Sequence, residues 1–480
     1  MISSIASIVV WRQLQPPSPL QPLTDDFSLI DVTVINPSQN RLEHQMVVVH
    51  EGFIKRLSNV IDPEAPEPLK QYRRHFVLPG LVDLHTHLPP DNLLRLSAHS
   101  LLLYLAHGVT IIREAGDVDG TAVPAARRAE GSGYAGPRIF ACGPFLVGGA
   151  PRWRNTRVLH SPRDAEAIVR ELKLAGFDCI KSYDDLTVAE IDAVLDAARN
   201  SGLPVIGHVP TAVAYEDSNV SDVQHLHGVV PPAALDPNDP MSRMVDWETV
   251  DSARMDAFVR STVERGIAHT PTLVTTRQLL LYADYAEAIR QPYALLMPRL
   301  YRDVVWSPTE GLPLARRMDP TTLVRLRSAF EKKKEVVRRL FAAGAQLHLG
   351  TDVLQPLVVP GASLQEEMRL FHECGVPLDH LWAMATVQAA DALRQPELER
   401  LRYGAPADML IFREDPTRRL EALDSLEAVV VGGKLYRQED LQEGLRQYQG
   451  HFDSFVFDQV SMAATRRVLR RSILSSTDRH

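Results

Sequence analysis

An apolar run that ends in two histidines constrains the fold of this chain most strongly: VLPGLVDLHTHL, residues 77–88. The run enters through a Pro-Gly turn and has the pattern of a buried strand. Side chains alternate between the faces of a strand, so His85 and His87 face the same way, about 7 Å apart. Two such histidines can bind one metal ion together. A His-x-His pair alone is more often a surface or core pair than a metal site, so other residues of the chain are needed to identify a metal site.

From residue 81 onward, short apolar runs alternate with longer helical patterns. The strand-like runs are Leu81–His87, Val109–Arg113, Arg138–Cys142, Cys179–Tyr183, Pro204–His208, Asp222–His225, Ile267–Thr272 and Gln346–Asp352. The helical patterns are Leu94–Ala106, Asp164–Ala175, Val188–Asn200, Val250–Glu264, Thr322–Ala343 and Leu364–Cys374. Eight strands alternating with helices predict an α/β fold, a (β/α)8 TIM-like barrel.

Further strand-like runs flank this region on both sides. Short alternating runs fill residues 27–77, and apolar runs return at Met409–Phe412 and Ala428–Val431. We therefore expect a small β-sandwich domain built from both chain ends. The expected bounds are 1–26 for an N-terminal extension and linker, 27–78 with 402–440 for the sandwich, 79–401 for the barrel, and 441–480 for a C-terminal helical tail.

The composition excludes several classes of protein. The 480 residues are 45% hydrophobic and carry a net charge of −8, which argues against a nucleic-acid surface. The longest apolar runs are too short for a transmembrane helix, so we expect neither nucleic acid nor a membrane as a partner. Cys142, Cys179 and Cys374 are few, odd in number and far apart, which predicts reduced thiols and no disulfide framework. With no clean signal-peptide pattern, we expect a cytoplasmic rather than a secreted or periplasmic protein.

Polar side chains of the metal-ligand type end five of the predicted barrel strands. They are His85 and His87 on the first strand, Lys181 on the fourth, His208 on the fifth, His225 on the sixth and Asp352 on the eighth. Active sites in this architecture lie at the carboxyl ends of the strands, so these side chains should converge. Accidental placement of all six is the alternative, and it is much the less favoured one.

The same residues resemble the amidohydrolase superfamily of metal-dependent hydrolases. The resemblance runs from about Leu29 to Tyr436 and is strongest at Pro79-Gly80, His85-Thr86-His87, Ile180-Lys181, Gly207-His208-Val209-Pro210, Val223-Gln224-His225-Leu226 and Gly350-Thr351-Asp352. Within the superfamily, the chain is similar to Xaa-Pro and Xaa-Arg dipeptidases and to imidazolonepropionase-like enzymes. The resemblance implies a small-molecule substrate, and it leaves a homo-oligomer open.

In the members that this chain resembles, the strand-four lysine reacts with carbon dioxide to form a carbamate, an anion that bridges two metals. Carried over, Lys181 bridges two divalent ions. The other ligands would divide into two coordination spheres, His85, His87 and Asp352 in one and His208 and His225 in the other. Nitrogen and oxygen ligands of this kind suit zinc, with manganese, cobalt or iron as alternatives.

The resemblance also implies a reaction, the hydrolysis of a carbon–nitrogen amide bond in a dipeptide, an N-acyl amino acid or a cyclic amide. A water that bridges the two ions would lose a proton near neutral pH. Asp352 would act as the proton shuttle from this hydroxide to the leaving nitrogen. Tyr183, two residues beyond Lys181 on the same strand face, could donate to the developing oxyanion or simply pack at the barrel rim.

Four more side chains are candidates for substrate contact. Arg113 ends strand two, and Arg152 and Arg154 lie in the loop after strand three. A guanidinium there could bind a substrate carboxylate, although surface salt bridges explain arginines equally well. His227 competes with His225 for the strand-six ligand position. The resemblance places the ligand at His225 and leaves His227 to line the pocket.

Some features depart from the relatives or allow other functions. Some dipeptidases carry Gly-Gly-His after strand three, whereas this chain has Gly148-Gly149-Ala150, which weakens a dipeptide assignment. A mononuclear aminohydrolase, a deaminase of a heterocycle, is one alternative, but its His-x-x-Glu element is missing after His208. A non-catalytic scaffold derived from a hydrolase is another, but such scaffolds usually lose their ligands.

Overall fold

The computed structural model describes residues 13–477, apart from residues 93, 133–134, 152, 237–238 and 240. Its strands are β1 Phe27–Val34, β2 Leu42–His50, β3 Phe53–Ser58, β4 Phe76–Pro79, β5 Leu81–Thr86, β6 Val109–Glu114, β7 Arg138–Ala141, β8 Phe145–Val147, β9 Thr156–Val158, β10 Ile180–Ser182, β11 Val205–Gly207, β12 Asp222–Gln224, β13 Ala268–Thr270, β14 Met409–Phe412, β15 Leu426–Val431 and β16 Lys434–Arg437. They form one seven-stranded, one six-stranded and one three-stranded sheet.

Helices follow most of the parallel strands. The α-helices are α1 Leu96–Ala106, α2 Ala122–Ser132, α3 Ala165–Leu174, α4 Val188–Ser201, α5 Ser242–Val245, α6 Ser252–Arg265, α7 Leu273–Leu279, α8 Tyr285–Ala288, α9 Pro292–Leu295, α10 Pro313–Arg316, α11 Pro320–Ala342, α12 Ala362–Glu373, α13 Leu378–Ala385, α14 Val387–Ala392, α15 Gln438–Phe452 and α16 Phe455–Thr477. Among the residues described, none of these helices is both long and apolar enough to cross a membrane.

The seven-stranded sheet contains strands from both ends of the chain. Its order is β16-β15-β14-β4-β1-β2-β3, and β4 pairs antiparallel with β14 over four residues. Val32 and Val77 share one buried core with Met409 and Ile411. The expected association of the two chain ends is therefore seen. The described strands from the two chain ends form a single sheet, so the second layer of a β-sandwich is not shown, and the domain bounds remain a prediction.

Two parallel sheets make up the rest of the strand framework, in the orders β5-β6-β7 and β13-β12-β11-β10-β8-β9. The backbone N–H of Asp178 donates to Ala141 O at 2.8 Å, which links β7 to the residues before β10. The segment 346–352 connects the other edges, because His269 N–H bonds Gln346 O and Leu84 N–H bonds Leu349 O, both at 3.0 Å. This mixed α/β arrangement is consistent with a TIM-like barrel.

The helix ends follow local capping rules. The Thr187 hydroxyl accepts from the Glu190 N–H, and the Glu190 carboxylate accepts from the Thr187 N–H, a capping box that starts α4. Helix α4 ends at Gly202, which adopts the left-handed φ of 70° that glycine allows. Asp319 caps α11 in the same manner through the Thr322 N–H. The six predicted helices accordingly differ from the observed ones by no more than two residues at either end.

The prediction of reduced, unpaired cysteines is wrong for two of the three. Cys142 and Cys179 form a disulfide, and Cys374 is a buried free thiol. Cys142 directly follows β7 and Cys179 directly precedes β10, and these two segments bond through Asp178 and Ala141. The pair is 37 residues apart in sequence, so only the strand order brings the two sulfur atoms together.

Candidate metal centre

Predicted ligands meet at the carboxyl ends of the parallel strands. His85 lies near the end of β5, His225 directly follows β12, and Asp352 ends the segment that bonds to β5. One ligand atom from each of these three lies within 4.8 Å of the other two. The Nε2 atoms of His85 and His87 lie 3.4 and 3.3 Å from Asp352 Oδ1. Three histidines thus surround one carboxylate.

The backbone around this group is strained. His225, Thr272 and Asp352 have φ values of 60°, 49° and 59°, in the left-handed region that non-glycine residues seldom adopt. Such conformations persist only where the surrounding structure enforces them, and they cluster at functional sites. His225 directly follows β12, Thr272 lies two residues after β13, and Asp352 ends the segment that bonds to β5.

A second group adjoins the first. Ligand atoms of Asp184, His208 and His227 lie within 4.8 Å of one another. The His208 Nδ1 is 2.6 Å from Asp184 Oδ1, and its ring packs edge-on against His225 with centroids 5.1 Å apart. Asp184 is absent from the predicted ligand set. The signal that could have found it is its place after Tyr183, at the carboxyl end of the same strand as Lys181.

The four predicted histidine ligands share one arrangement, in which a neighbouring group holds Nδ1. The partners are Gln224 Oε1 for His85, Gly116 O for His87, Asp184 Oδ1 for His208 and Thr272 Oγ1 for His225. The first three partner atoms can only accept, so Nδ1 of His85, His87 and His208 carries a proton, and whenever such a ring is neutral its Nε2 keeps a free lone pair. Outer partners of this kind orient metal-bound histidines in proteins.

Lys181 lies in β10 and is 1% exposed. Its Nζ has no hydrogen-bond partner among the residues described, and neither has His85 Nε2. Burial lowers the pKa of Lys181 to about 8, partly opposed by the charge of Asp352. A buried polar atom without a partner is costly, so the lysine and the histidines fit a group that would satisfy both. The donor set of nitrogen and carboxylate atoms suits a divalent metal.

Burial and neighbouring charges shift the pKa values of the predicted ligands. Burial opposes ionisation of Asp352, but His225, His85 and His87 together hold its pKa well below the usual range. Burial, reinforced by Lys181, holds the pKa of His208 well below its ordinary value, and burial does the same for His225. These shifts favour the neutral imidazole, which is the form that binds a metal. For His87, burial is outweighed by Asp352 and Glu114, which raise its pKa to about 9.

Arg113, a predicted substrate contact, is held inside the fold by hydrogen bonds. Its Nη2 donates to Asp222 Oδ2 at 2.5 Å and its Nε donates to Leu84 O at 2.7 Å, while only 2% of the residue is exposed. His348 Nδ1 lies 3.0 Å from the same Asp222 oxygen. Asp222 is buried and needs these cationic and donor partners, so the observed contacts give Arg113 a structural role.

An aromatic cluster covers one side of the site. The Tyr183 ring stacks on His208 with centroids 4.5 Å apart, and Phe145 meets it edge-on at 5.0 Å. The indole N–H of Trp153 donates to Tyr183 Oη at 3.2 Å. Tyr183 is therefore held beside a predicted ligand. Arg154 is exposed, and Arg152 lies outside the described residues.

His227 also lies beside the predicted ligands. Its ring centroid is 4.3 Å from that of His208 and 5.2 Å from that of His225. Its Nδ1 is 2.8 Å from Nη1 of Arg243, a residue that the sequence did not single out. Of the two strand-six histidines, His225 joins His85 and Asp352, whereas His227 joins Asp184 and His208.

The fold and this site agree with a family assignment. The sequence profile of the Amidohydrolase family matches residues 76–436. The chain belongs to the amidohydrolase family, so the resemblance is confirmed. The protein is an enzyme that acts on carbon–nitrogen bonds, and its family is generally metal-dependent. Among curated proteins, no relative matches the chain.

Solved structures of similar fold include three hydrolases. A bottromycin amidohydrolase is 23% identical, with 93% of each chain covered and a TM-score of 0.69. A Xaa-Pro dipeptidase with methionine bound in its active site is 19% identical, with 86% of this chain and 100% of that chain covered and a TM-score of 0.62. A molinate hydrolase is 15% identical, with 88% and 96% covered and a TM-score of 0.60. At these identities the likeness establishes the fold.

Proposed function

We propose that this protein is a metal-dependent hydrolase that cleaves the carbon–nitrogen amide bond of a small molecule. A dipeptide, an N-acyl amino acid or a cyclic amide is the substrate class. The observation that carries the proposal is the buried, unpartnered Lys181 amine among histidines whose Nδ1 atoms are already held. Unpartnered nitrogen atoms of this kind, Lys181 Nζ and His85 Nε2, are suited to bind a metal centre.

Two divalent ions, zinc first among the candidates, are the group that these residues would hold. His85, His87 and Asp352 would bind one ion, and His208 and His225 would bind the other. A carbamate on Lys181 would bind both ions. When bound, such ions polarise a carbonyl group and lower the pKa of water toward neutrality. The orphaned nitrogen atoms of His85 and Lys181 support this assignment.

Asp352 is the proposed acid–base residue. Its carboxylate is ionised at neutral pH, because the histidines around it lower its pKa. It can accept a proton from the attacking water and deliver it to the leaving nitrogen, which departs poorly as an unprotonated amine. Its contacts of 3.3–3.4 Å with two histidines hold the carboxylate at the centre of the site.

Tyr183 is the proposed donor to the oxyanion that forms on the scissile carbonyl. Trp153 donates to its oxygen at 3.2 Å, which helps to position the hydroxyl group. Stacking on His208 fixes the ring beside the ligands. A donor fixed before the reaction begins stabilises the developing charge without reorganising.

The framework that we propose for this chemistry is a closed eight-stranded barrel over residues 79–401. The hydrogen bonds of segment 346–352 to β13 and β5 support closure. A cytoplasmic location and a small-molecule substrate without nucleic acid or membrane partners remain part of the proposal.

The test is metal content per chain, measured by mass spectrometry on the purified protein, with a screen of dipeptides and N-acyl amino acids. We expect close to two ions per chain, hydrolysis in the screen, and loss of the pair in Lys181→Ala. Lys173→Ala, at an exposed position on α3, is the matched control and should keep both ions. Full activity with one ion in Lys181→Ala, or ammonia release from a heterocycle, would favour the aminohydrolase instead. Two ions without any hydrolysis would favour a scaffold.

A further inference from the structure

Arg243, in the short helix α5, joins three loops at the mouth of the candidate metal centre. Its Nη1 lies 2.8 Å from His227 Nδ1 and 3.3 Å from Asp184 Oδ1, and its Nη2 donates to Thr211 Oγ1. These partners follow β12, β10 and β11 respectively. The Arg243 side chain is 13% exposed, so a nearly buried guanidinium connects the ends of three adjacent strands.

The contact between Arg243 and His227 fixes the proton on the imidazole ring. A guanidinium has five N–H donors and no acceptor. His227 Nδ1 must therefore accept, because a protonated Nδ1 would face another donor at 2.8 Å. The remaining ring proton is then on Nε2. A nitrogen that carries a proton has no lone pair for a metal, so His227 is a donor and not a ligand.

The Nε2 atom of His227 is open to a bound molecule. No residue in the described part of the chain forms a hydrogen bond with this atom, and it is not among the fully buried unpartnered atoms. The His208 ring is 4.3 Å away between centroids, so the donor lies next to a proposed metal ligand. The guanidinium of Arg243, whose side chain is 13% exposed, places a positive charge directly beside this imidazole.

We infer that His227 donates its Nε2–H to a carboxylate oxygen of the substrate, and that Arg243 is the positioning residue that fixes this donor. The inference rests on the proposed function and narrows the substrate to an amide that carries a carboxylate. The same guanidinium pairs with Asp184, which holds His208 Nδ1. Asp184 and His227 are consequently parts of a substrate-recognition element and not ligands of a further cation, while His208 keeps its proposed role as a metal ligand.

The first test reads the tautomer without any activity measurement. Long-range ¹H–¹⁵N spectra of the histidine-labelled full chain separate an Nε2–H from an Nδ1–H imidazole. The His227 signal, assigned by its absence in His227→Gln, should report Nε2–H in the wild type and lose that preference in Arg243→Met. An Nδ1–H signal in the wild type would overturn the inference.

The second test separates substrate binding from metal binding. His227→Leu should keep the wild-type metal content and raise KM for carboxylate substrates about tenfold or more, the size expected for one lost hydrogen bond to a charged group. For substrates whose carboxylate is replaced by an amide, the same variant should raise KM much less. His227→Gln, which retains an N–H donor, and Arg243→Lys, which retains a cation, should each recover part of the affinity.

Arg254→Met is the matched control, because Arg254 donates to the backbone of Gly228 and Val229 in the same loop and has no contact with the His227 ring among those described. It should leave the ratio of KM between carboxylate and amide substrates unchanged. Loss of a metal ion in His227→Leu, or an equal loss for both substrates, would overturn the inference. Failure of the proposed function has a different signature, since the wild type would then lack metal or hydrolysis in the screen.

Discussion

At the scale of single residues, the chemistry depends most on Asp352. Asp352→Asn removes the acid–base group but keeps the shape of the side chain. We expect turnover to fall by about 10² or more, within the range of acid–base catalysis, while the fold is retained. Turnover under saturating substrate, with circular dichroism and metal content as controls for folding and loading, checks this. Unchanged turnover at full metal content would remove Asp352 from proton transfer.

At this scale, the sequence was a better guide to which side chains lie close together than to their hydrogen-bond partners. His85 and His87 follow from strand alternation, because a strand of known direction places alternate residues on one face. Gln224 and Thr272, which hold Nδ1 of two histidines, depend on the register between neighbouring strands. Arg113 shows the same limit of prediction from sequence. An arginine at the end of a predicted strand gives the same sequence pattern whether it binds a substrate or a buried carboxylate such as Asp222.

At the scale of elements, helix α11 carries an unusual buried cation. Lys333 is 5% exposed, and its Nζ bonds the Thr276 hydroxyl at 3.0 Å and lies 5.5 Å from the Trp247 ring centroid. It has no carboxylate within ion-pair distance among the described residues. Burial lowers its pKa from 10.5 to about 8. The folded state therefore binds fewer protons than the unfolded state between these two values, so stability rises with pH across that window.

We accordingly expect Lys333→Met to stabilise the fold at pH 7, by about 2 kcal/mol once the lost bond to Thr276 is allowed for. The advantage should shrink as pH rises from about 8 to 10.5, where the wild-type amine becomes neutral. Urea unfolding at several pH values measures it. Lys334→Met is the matched control, because Lys334 lies beside Glu331 on the same helix. A stability difference that does not change with pH would contradict the assignment.

Helices were easier to predict than the smallest strands. Caps such as Thr187 and Gly202 mark helix ends locally, so α4 could be predicted from its own residues. Strands β8 and β9 have three residues each and lie in a loop rich in glycine and proline, where a short run has no periodicity to detect. The Cys142–Cys179 disulfide depends on which strands are neighbours, and linear spacing does not carry that information.

At the scale of the whole molecule, Asn36 ties the N-terminal strands to a distant part of the chain. Its Nδ2 donates to Leu401 O at 3.0 Å, and its Oδ1 accepts from the Leu401 N–H at 2.8 Å. The residue is 5% exposed, so both bonds are shielded from water. Leu401 itself lies in the core shared by Val77 and Met409, where the two chain ends meet. The two hydrogen bonds therefore link segments that are 365 residues apart in sequence, next to the sheet that contains strands from both chain ends.

Asn36→Ala should lower the free energy of unfolding by about 2 kcal/mol, because two buried backbone groups of Leu401 lose their partners. The loss should appear in a single urea unfolding transition, with the same midpoint by intrinsic fluorescence and by circular dichroism. A single transition is expected because the seven-stranded sheet contains strands from both ends of the chain. Asn40→Ala, at an exposed position four residues on, is the matched control and should change stability little. Metal content and KM should remain at wild-type values, because the described hydrogen bonds of the Asn36 side chain go to Leu401 and not to a metal-centre residue. Separate transitions for the two chain ends would show that the composite sheet is not one cooperative unit.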